Sequence, residues 1–290
     1  MRPHFLYAVM GVCLLALSAQ NAFAETGRIT NLVSPPKADS LASPLVFRTI
    51  QTSTEPDLSG FASPPLGRVG LDTYIRSGHG IYDVPVSLFI NPDLQAQFDI
   101  PLVSNSESPG LKVGDTMFSV KYRTDVDTNY DAYFIFTAKF PTGEPESHSG
   151  TGSYDFSFTH KSIIKCGGYR TTLMAGITIP PPFDFWVMDN GVVYAPTVAY
   201  MAATERAFSS TGFSAGIKAA GLHAFSSRIN SELQKNALTT IDLIPEVTYR
   251  FSERGMAVAG IVVPVFTEYD LPGASNRRDV MINLSVSSYF

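Results

Sequence analysis

Apolar residues recur at every second position over long stretches of this chain. In the last eleven residues, Val280, Ile282, Leu284, Val286 and Phe290 fall on one face, and Met281, Asn283, Ser285, Ser287 and Tyr289 on the other. A period of two is that of a β-strand with one apolar and one mostly polar face. The pattern returns in Thr116, Phe118, Val120 and Tyr122, in Phe134, Phe136, Ala138 and Phe140, and in Tyr154, Phe156 and Phe158. It also returns in Leu94, Ala96, Phe98, Ile100 and Leu102, and in Ile241, Leu243, Val247, Tyr249 and Phe251. Strands are therefore expected at 68–76, 82–90, 94–103, 113–124, 130–140, 153–165, 169–179, 192–203, 212–225, 238–252, 256–267 and 279–290. Most are long enough for the roughly 9–11 residues with which a strand crosses a bilayer.

The remaining apolar signal is confined to the N-terminus. Met1-Arg2-Pro3-His4, the apolar stretch Phe5–Ala16 and the Ala22-Phe23-Ala24 site read as a secretory signal peptide over residues 1–24. No other run approaches the roughly 20 apolar residues of a spanning helix. With 44% hydrophobic and only 16% charged residues the chain is no disordered tail. Its net charge of −5, becoming −6 when Arg2 leaves with the signal peptide, gives no basic footprint for nucleic acid. Cys166 is the single cysteine beyond residue 24, so an intrachain disulfide is excluded.

The connections narrow the fold class. Asn91-Pro92-Asp93, Cys166-Gly167-Gly168 and Glu253-Arg254-Gly255 read as tight turns, whereas 104–112, 141–152, 180–191, 226–237 and 268–278 read as longer polar loops. With the N-terminus in the periplasm, short turns fall inside and long loops outside, the layout of outer-membrane barrels. Two connections depart from it: the first outer loop, 77–81, is short, and the inner turn 204–211 is long. The expected fold is all-β, a transmembrane up-and-down antiparallel barrel of about 12 strands over residues 68–290, with 10 and 14 as the neighbouring counts. Hydrocarbon demands internal pairing of every backbone polar group, which a sheet achieves only by closing. Pro85, Pro101, Pro196, Pro245 and Pro264 each remove a ladder donor and mark bulges or strand ends. Segments 192–203, 212–225 and 256–267 are rich in Ala, Val and Gly and alternate poorly.

Several blocks carry a family resemblance. They are Thr54-Glu55-Pro56, Pro64-Pro65-Leu66-Gly67-Arg68, Asn91-Pro92-Asp93-Leu94-Gln95-Ala96-Gln97-Phe98, Val113-Gly114-Asp115, Lys139-Phe140-Pro141-Thr142-Gly143, Gly150-Thr151-Gly152-Ser153-Tyr154-Asp155 and the terminal Tyr289-Phe290. In this order the chain resembles the meta-pathway phenol-degradation outer-membrane family from residue 52 onward. The resemblance implies a barrel that acts as a transporter or channel. It departs at the Asn-Pro-Asp turn, where Gln95 and Gln97 follow in place of a charged residue. The aromatic Phe290 on the last strand resembles the signal by which outer-membrane barrels are recognised for assembly, which implies the barrel-assembly machinery and outer-membrane lipid as partners.

Function would reside on the inward faces. The lumen-lining candidates are Asp72, Arg76, Asp99, Asp115, Lys121, Arg123, Lys139, Asp155, Arg170, Asp242, Glu246 and Arg250, together with Lys161 and Lys218. Both signs are present, so these residues either select solutes in a water-filled lumen or pair with one another to fill a narrow barrel. Phe183, Phe185 and Trp186 make 180–191 the most aromatic outer loop and a candidate gate. Residues 25–67, rich in Pro, Ser and Thr apart from Leu45-Val46-Phe47, read as a periplasmic tail or a lumen plug. A lipid-facing His160/Ser162 pair raises an enzyme reading. It lacks a following Asn-Gly and sits toward the periplasmic end, and the chain is not read as an enzyme. His79 and His148 sit singly in outer loops, and no metal cluster, phosphate loop or dinucleotide motif is present, so no cofactor is expected. The expectation is a passive channel or transporter in the bacterial outer membrane for small, hydrophobic or aromatic molecules. The alternatives are a sealed structural or surface-binding barrel and, more remotely, a lipid-modifying enzyme.

Overall fold

Strand alternation alone leaves open how the strands connect; the pairing registers settle it. The structure is a computed structural model. It describes residues 65–76, 79–105, 110–143, 150, 154–179, 192–193, 196–208, 212–226, 228–229, 232–233, 237–270 and 278–290. The signal-peptide reading, nearly all of 25–67, His148 and the gate residues Phe183, Phe185 and Trp186 lie outside the described residues, as do the side chains of Arg76 and His79.

Twelve long strands form the wall: β1 (Gly67–Arg76), β2 (His79–Asn91), β3 (Leu94–Asn105), β5 (Thr116–Asp127), β6 (Tyr130–Phe140), β7 (Asp155–Cys166), β8 (Tyr169–Ile179), β10 (Thr197–Phe208), β11 (Phe213–Ala224), β14 (Leu238–Ser252), β15 (Gly255–Tyr269) and β16 (Met281–Tyr289). Among the described residues four two-residue strands decorate the loops: β4 (Lys112–Val113), β9 (Val192–Val193), β12 (Arg228–Ile229) and β13 (Glu232–Leu233). Each long strand pairs antiparallel with its neighbours in sequence, and β1 pairs with β16, from Arg68 opposite Tyr289 to Ile75 opposite Ile282. The sheet is a closed barrel with no free edge, as hydrocarbon requires.

Closure is made at the chain end. The Leu66 and Gly67 amides donate to the Phe290 carbonyl at 2.7 and 3.1 Å, and the Phe290 amide donates back to the Gly67 carbonyl at 3.1 Å. The Phe290 ring covers Gly67, where an added Cβ would lie 2.5 Å from it. Only glycine fits there.

Strand 192–203 is corrected to Thr197–Phe208. The register, from Thr197 opposite Ala224 to Phe208 opposite Phe213, carries it five residues further than expected. Val192-Val193 belong instead to a three-stranded sheet in which β9 pairs with β12 and β12 with β13, so two outer loops pair with each other. The inner turn expected at 204–211 therefore shrinks to 209–212, with Gly212 at φ 69°. The inner connections at 92–93, 128–129, 167–168 and 253–254 are two residues each, and four residues separate β10 from β11; the long connections lie at the other end. Gly167 and Gly168, at φ 58° and 81°, give the mirror-image turn that matches strand twist. Pro264 sits at a register shift opposite Asp242 and Pro196 precedes its strand, as expected, whereas the expectation is corrected for Pro85, Pro101 and Pro245, which stand inside strands opposite Asp99, Asp83 and Ile217 with no register shift.

The outward face is apolar: Leu71, Val86, Phe98, Phe118, Phe134, Phe158, Ile217, Val247, Ile261, Ile282, Leu284 and Val286 are all exposed. Toward the turn end, exposed Tyr122, Tyr169, Phe208, Phe213, Tyr249, Phe251 and Phe290 form an aromatic girdle, with Phe213 and Tyr249 stacked at 4.4 Å. Such a girdle flanks the apolar band of outer-membrane barrels.

Candidate functional site: the barrel lumen

Because side chains alternate, the residues between the lipid-facing ones project inward, and here they are buried. Of the sequence candidates, Asp72, Asp99, Asp115, Lys139, Asp155, Lys161, Lys218, Asp242 and Glu246 are buried on the inner face. Lys121, Arg123 and Arg170 are partly buried. Arg250 is exposed, at the turn-end register shift of β14.

The charges group by position along the strands. At the loop end, the Lys139 ammonium sits between Asp115, at 3.6 Å, and Asp155, in closer contact still. The break between β4 and β5 at Gly114-Asp115 frees the Asp115 carboxylate to accept the Gly143 amide at 3.1 Å. Thr142 completes the knot: its hydroxyl donates to the Gly114 carbonyl at 2.7 Å and accepts the Thr116 amide at 2.9 Å. An added Cβ on Gly150 would lie 2.4 Å from Asp115 Oδ1. Residues from three separate sequence blocks, Gly114-Asp115, Lys139 to Gly143, and Gly150 with Asp155, thus converge on one buried cluster.

Asp242 is fully buried, and Arg278, from the end of the loop before β16, reaches across β15 to it with two bonds of 2.7 and 3.1 Å. Opposite Asp242 in the register stands Pro264. Midway down, Lys218 and Glu246 meet at 2.7 Å on adjacent strands. The Asp72 carboxylate accepts the Ser285 hydroxyl and lies within electrostatic reach of Arg68 and of Lys218, four strands round the barrel. On β2 and β3, Ser87 donates to Gln97 at 3.0 Å and Gln97 to Asp99 at 2.7 Å. At the turn end, Arg123 joins Asp93 at 3.0 Å, and Asp131 joins Lys165 at 3.2 Å. Lys121 lies over the Tyr133 ring at 5.0 Å.

The opposite arc differs in kind. Met174, Ala199, Met201, Ala220, Leu222, Ala224, Leu238, Ile244, Val262 and Tyr269, on β8, β10, β11, β14 and β15, form one continuous buried apolar cluster. The inner wall thus differs by arc: charged on β1 to β7, and on β8 to β15 an apolar loop-end cluster interrupted on β14 by the buried Asp242, which Arg278 pairs.

Sequence reasoning missed Arg68, Asp83, Asp131, Lys165 and Arg278. Arg68, Asp83, Asp131 and Lys165 continue the inward period of strands already recognised, and that period could have found them. Arg278 sits in a loop, and its partner is set only by the register. The apolar arc was hidden because β10, β11 and β15 carry small residues on both faces. On β7, His160 lies against the exposed Phe134 ring at 5.1 Å, whereas Ser162 is fully buried, its hydroxyl 3.2 Å from that of Tyr130. Among the described residues no group of His, Cys, Asp and Glu could hold a metal ion.

Comparison with solved structures matches this architecture. The chain is similar to the COG4313 outer membrane channel from Pseudomonas putida F1, with a TM-score of 0.65 and 13% identity over 82% of this chain and 100% of that one. Its fold is that of the outer-membrane β-barrels. The NanC porin is a further match, with a TM-score of 0.52 and 8% identity over 77% of this chain and 99% of that one. No family model matches the chain, nor does any curated protein.

Proposed function

We propose that the protein is a passive channel of the bacterial outer membrane, exported by its signal peptide, for small molecules that combine an aromatic or other apolar body with a polar group. The carrying observation is the difference between the arcs of the wall. A pore that passes only hydrated solutes gains nothing from an apolar arc, whereas an amphipathic solute can lay its apolar face on Leu222, Ile244 and Val262 while its polar group meets the charged strands. The similarity to an outer-membrane channel and a porin supports the reading at the level of fold. Barrel-assembly machinery would act on the Phe290 end, and lipid on the apolar outer face.

Proteoliposomes loaded with benzoate or with glucose test it. Benzoate efflux above protein-free vesicles, reduced by Leu222→Asp, is expected; efflux of neither solute above background refutes it. A sealed structural barrel is the second reading, favoured by the burial and pairing of Lys139, Asp115, Asp155, Lys218 and Glu246.

A further inference from the structure

The inner face of β1 sets two opposite charges around a glycine. Residues at alternate positions share a face, so Arg68, Gly70, Asp72 and Tyr74 look inward together. Gly70 puts no side chain between the guanidinium and the carboxylate. Ser287 of β16 stands opposite Gly70, and Pro85 of β2 closes the other side. A Cβ added at Gly70 would lie 3.2 Å from the Pro85 ring and 3.4 Å from the Ser287 Cβ. Arg68, Asp72, Ser287 and the nearby Asn283 are all buried. The result is a notch with a cation at its turn end, a carboxylate toward the loop end and two polar side chains of β16 alongside.

Four polar atoms of this notch lack partners. Among the described residues, Arg68 Nε, Asp72 Oδ2, Ser287 Oγ and Asn283 Oδ1 are buried without a hydrogen-bond partner. The other Asp72 oxygen accepts the Ser285 hydroxyl, which holds the carboxylate in place. Arg68 and Lys218 are the cations within electrostatic reach of Asp72, and Lys218 is held by Glu246 at 2.7 Å. A buried polar atom left without a partner is costly, and these four ask for both signs. A guest must accept from Arg68 and donate to Asp72 and Asn283. An anion alone leaves Asp72 and Asn283 unmet; an ammonium alone leaves Arg68 unmet. A carboxylate and an ammonium carried on one carbon meet both.

We propose that the Gly70 notch binds the zwitterionic head of an apolar α-amino acid, the carboxylate on Arg68 and Ser287 and the ammonium on Asp72 and Asn283. This rests on the channel reading above and names its solute class. The spacing suits it. The Cα atoms of Arg68 and Asp72 lie roughly 13 Å apart along the strand. The long Arg68 side chain, the head group and charge-assisted hydrogen bonds of roughly 2.8 Å fill that length. The apolar side chain of the guest has a surface one strand further on. Met256, Val258 and Val262 are buried on β15, with Met256 opposite Ser287 and Val258 opposite Ser285. Val262 belongs to the apolar arc, so the notch lies at the arc's edge.

Efflux of L-phenylalanine, benzoate and phenethylamine from proteoliposomes of the full chain, each measured above protein-free vesicles, tests this. Phenylalanine is expected to leave several-fold faster than either singly charged analogue. Asp72→Asn and Arg68→Gln are each expected to abolish that lead. Gly70→Ala keeps both charges and fills the notch; it is expected to remove the lead as well, and it decides if neither charge variant folds. Benzoate efflux with no lead for phenylalanine, or a lead unchanged in every folded variant, overturns the inference and leaves the channel reading in place. Efflux of none of the three solutes overturns both.

Discussion

Lys139→Met probes the loop-end cluster. The Lys139 ammonium and both carboxylates beside it are at least nine-tenths buried. At the effective dielectric of about 20 that suits protein sites, a pair at 3.6 Å, the Lys139–Asp115 distance, attracts by roughly 4–5 kcal/mol. Most of that offsets desolvation of the ions, so the intact cluster adds little net stability. Removing one partner is different, because two carboxylates then face each other with the ammonium gone. The expected loss is about 3–5 kcal/mol, or roughly two to three and a half powers of ten in the folding equilibrium. Urea unfolding of the barrel in detergent micelles, followed by the gel shift between folded and heat-denatured protein, measures it. The triple variant Lys139→Met/Asp115→Asn/Asp155→Asn removes the charges together and is expected to recover more than half of the loss. A Lys139→Met protein within about 1 kcal/mol of the parent, or a triple variant less stable than the single one, would refute the reasoning.

Three further outcomes follow from the geometry. Arg278→Ala strips two bonds from the fully buried Asp242 carboxylate and is expected to cost about 3–5 kcal/mol, with Arg278→Ala/Asp242→Asn restoring at least half of the denaturation midpoint shift. Leu284→Arg places a charge on the lipid face midway along β16, for an expected loss of about 2–4 kcal/mol; Glu253→Arg, in an exposed turn, should stay within about 0.5 kcal/mol, and equal losses would show the assigned faces to be wrong. In Gly221→Ala the new Cβ would stand 2.2 Å from the Tyr200 ring, a clash worth about 1–3 kcal/mol that Tyr200→Ala should relieve in the same unfolding assay.

Legibility followed the side-chain period. β16, β14 and β5 alternate cleanly, and the faces assigned to Leu284, Asp242 and Lys121 agree with the structure. β10 failed because Ala199, Ala202 and Ala203 suit either face and Val192-Val193 resemble a strand start. Its register is set by pairing with β8 and β11, which is not a local property. Many of the buried charges were legible as the polar half of a period, although Arg68, Asp83, Asp131 and Lys165, on the same period, were not picked out and Arg250 is exposed. The partners of these charges were not legible. Lys139 meets Asp115 and Asp155 across strand pairs, and Arg278 meets Asp242 over an intervening strand, so both depend on registers no local pattern encodes. The Gly114-Asp115 and Lys139–Gly143 blocks were recognised as motifs, but that they meet at one cluster emerges only when β4, β5 and β6 are laid side by side.

Planar-bilayer recording of the full-length, folded protein in symmetric salt tests the central claim most directly. The account predicts discrete, reproducible current steps, made smaller by a small aromatic carboxylate lodging against the apolar arc. Insertion of folded barrel with no steps above the bare bilayer would contradict it and leave the sealed barrel in its place.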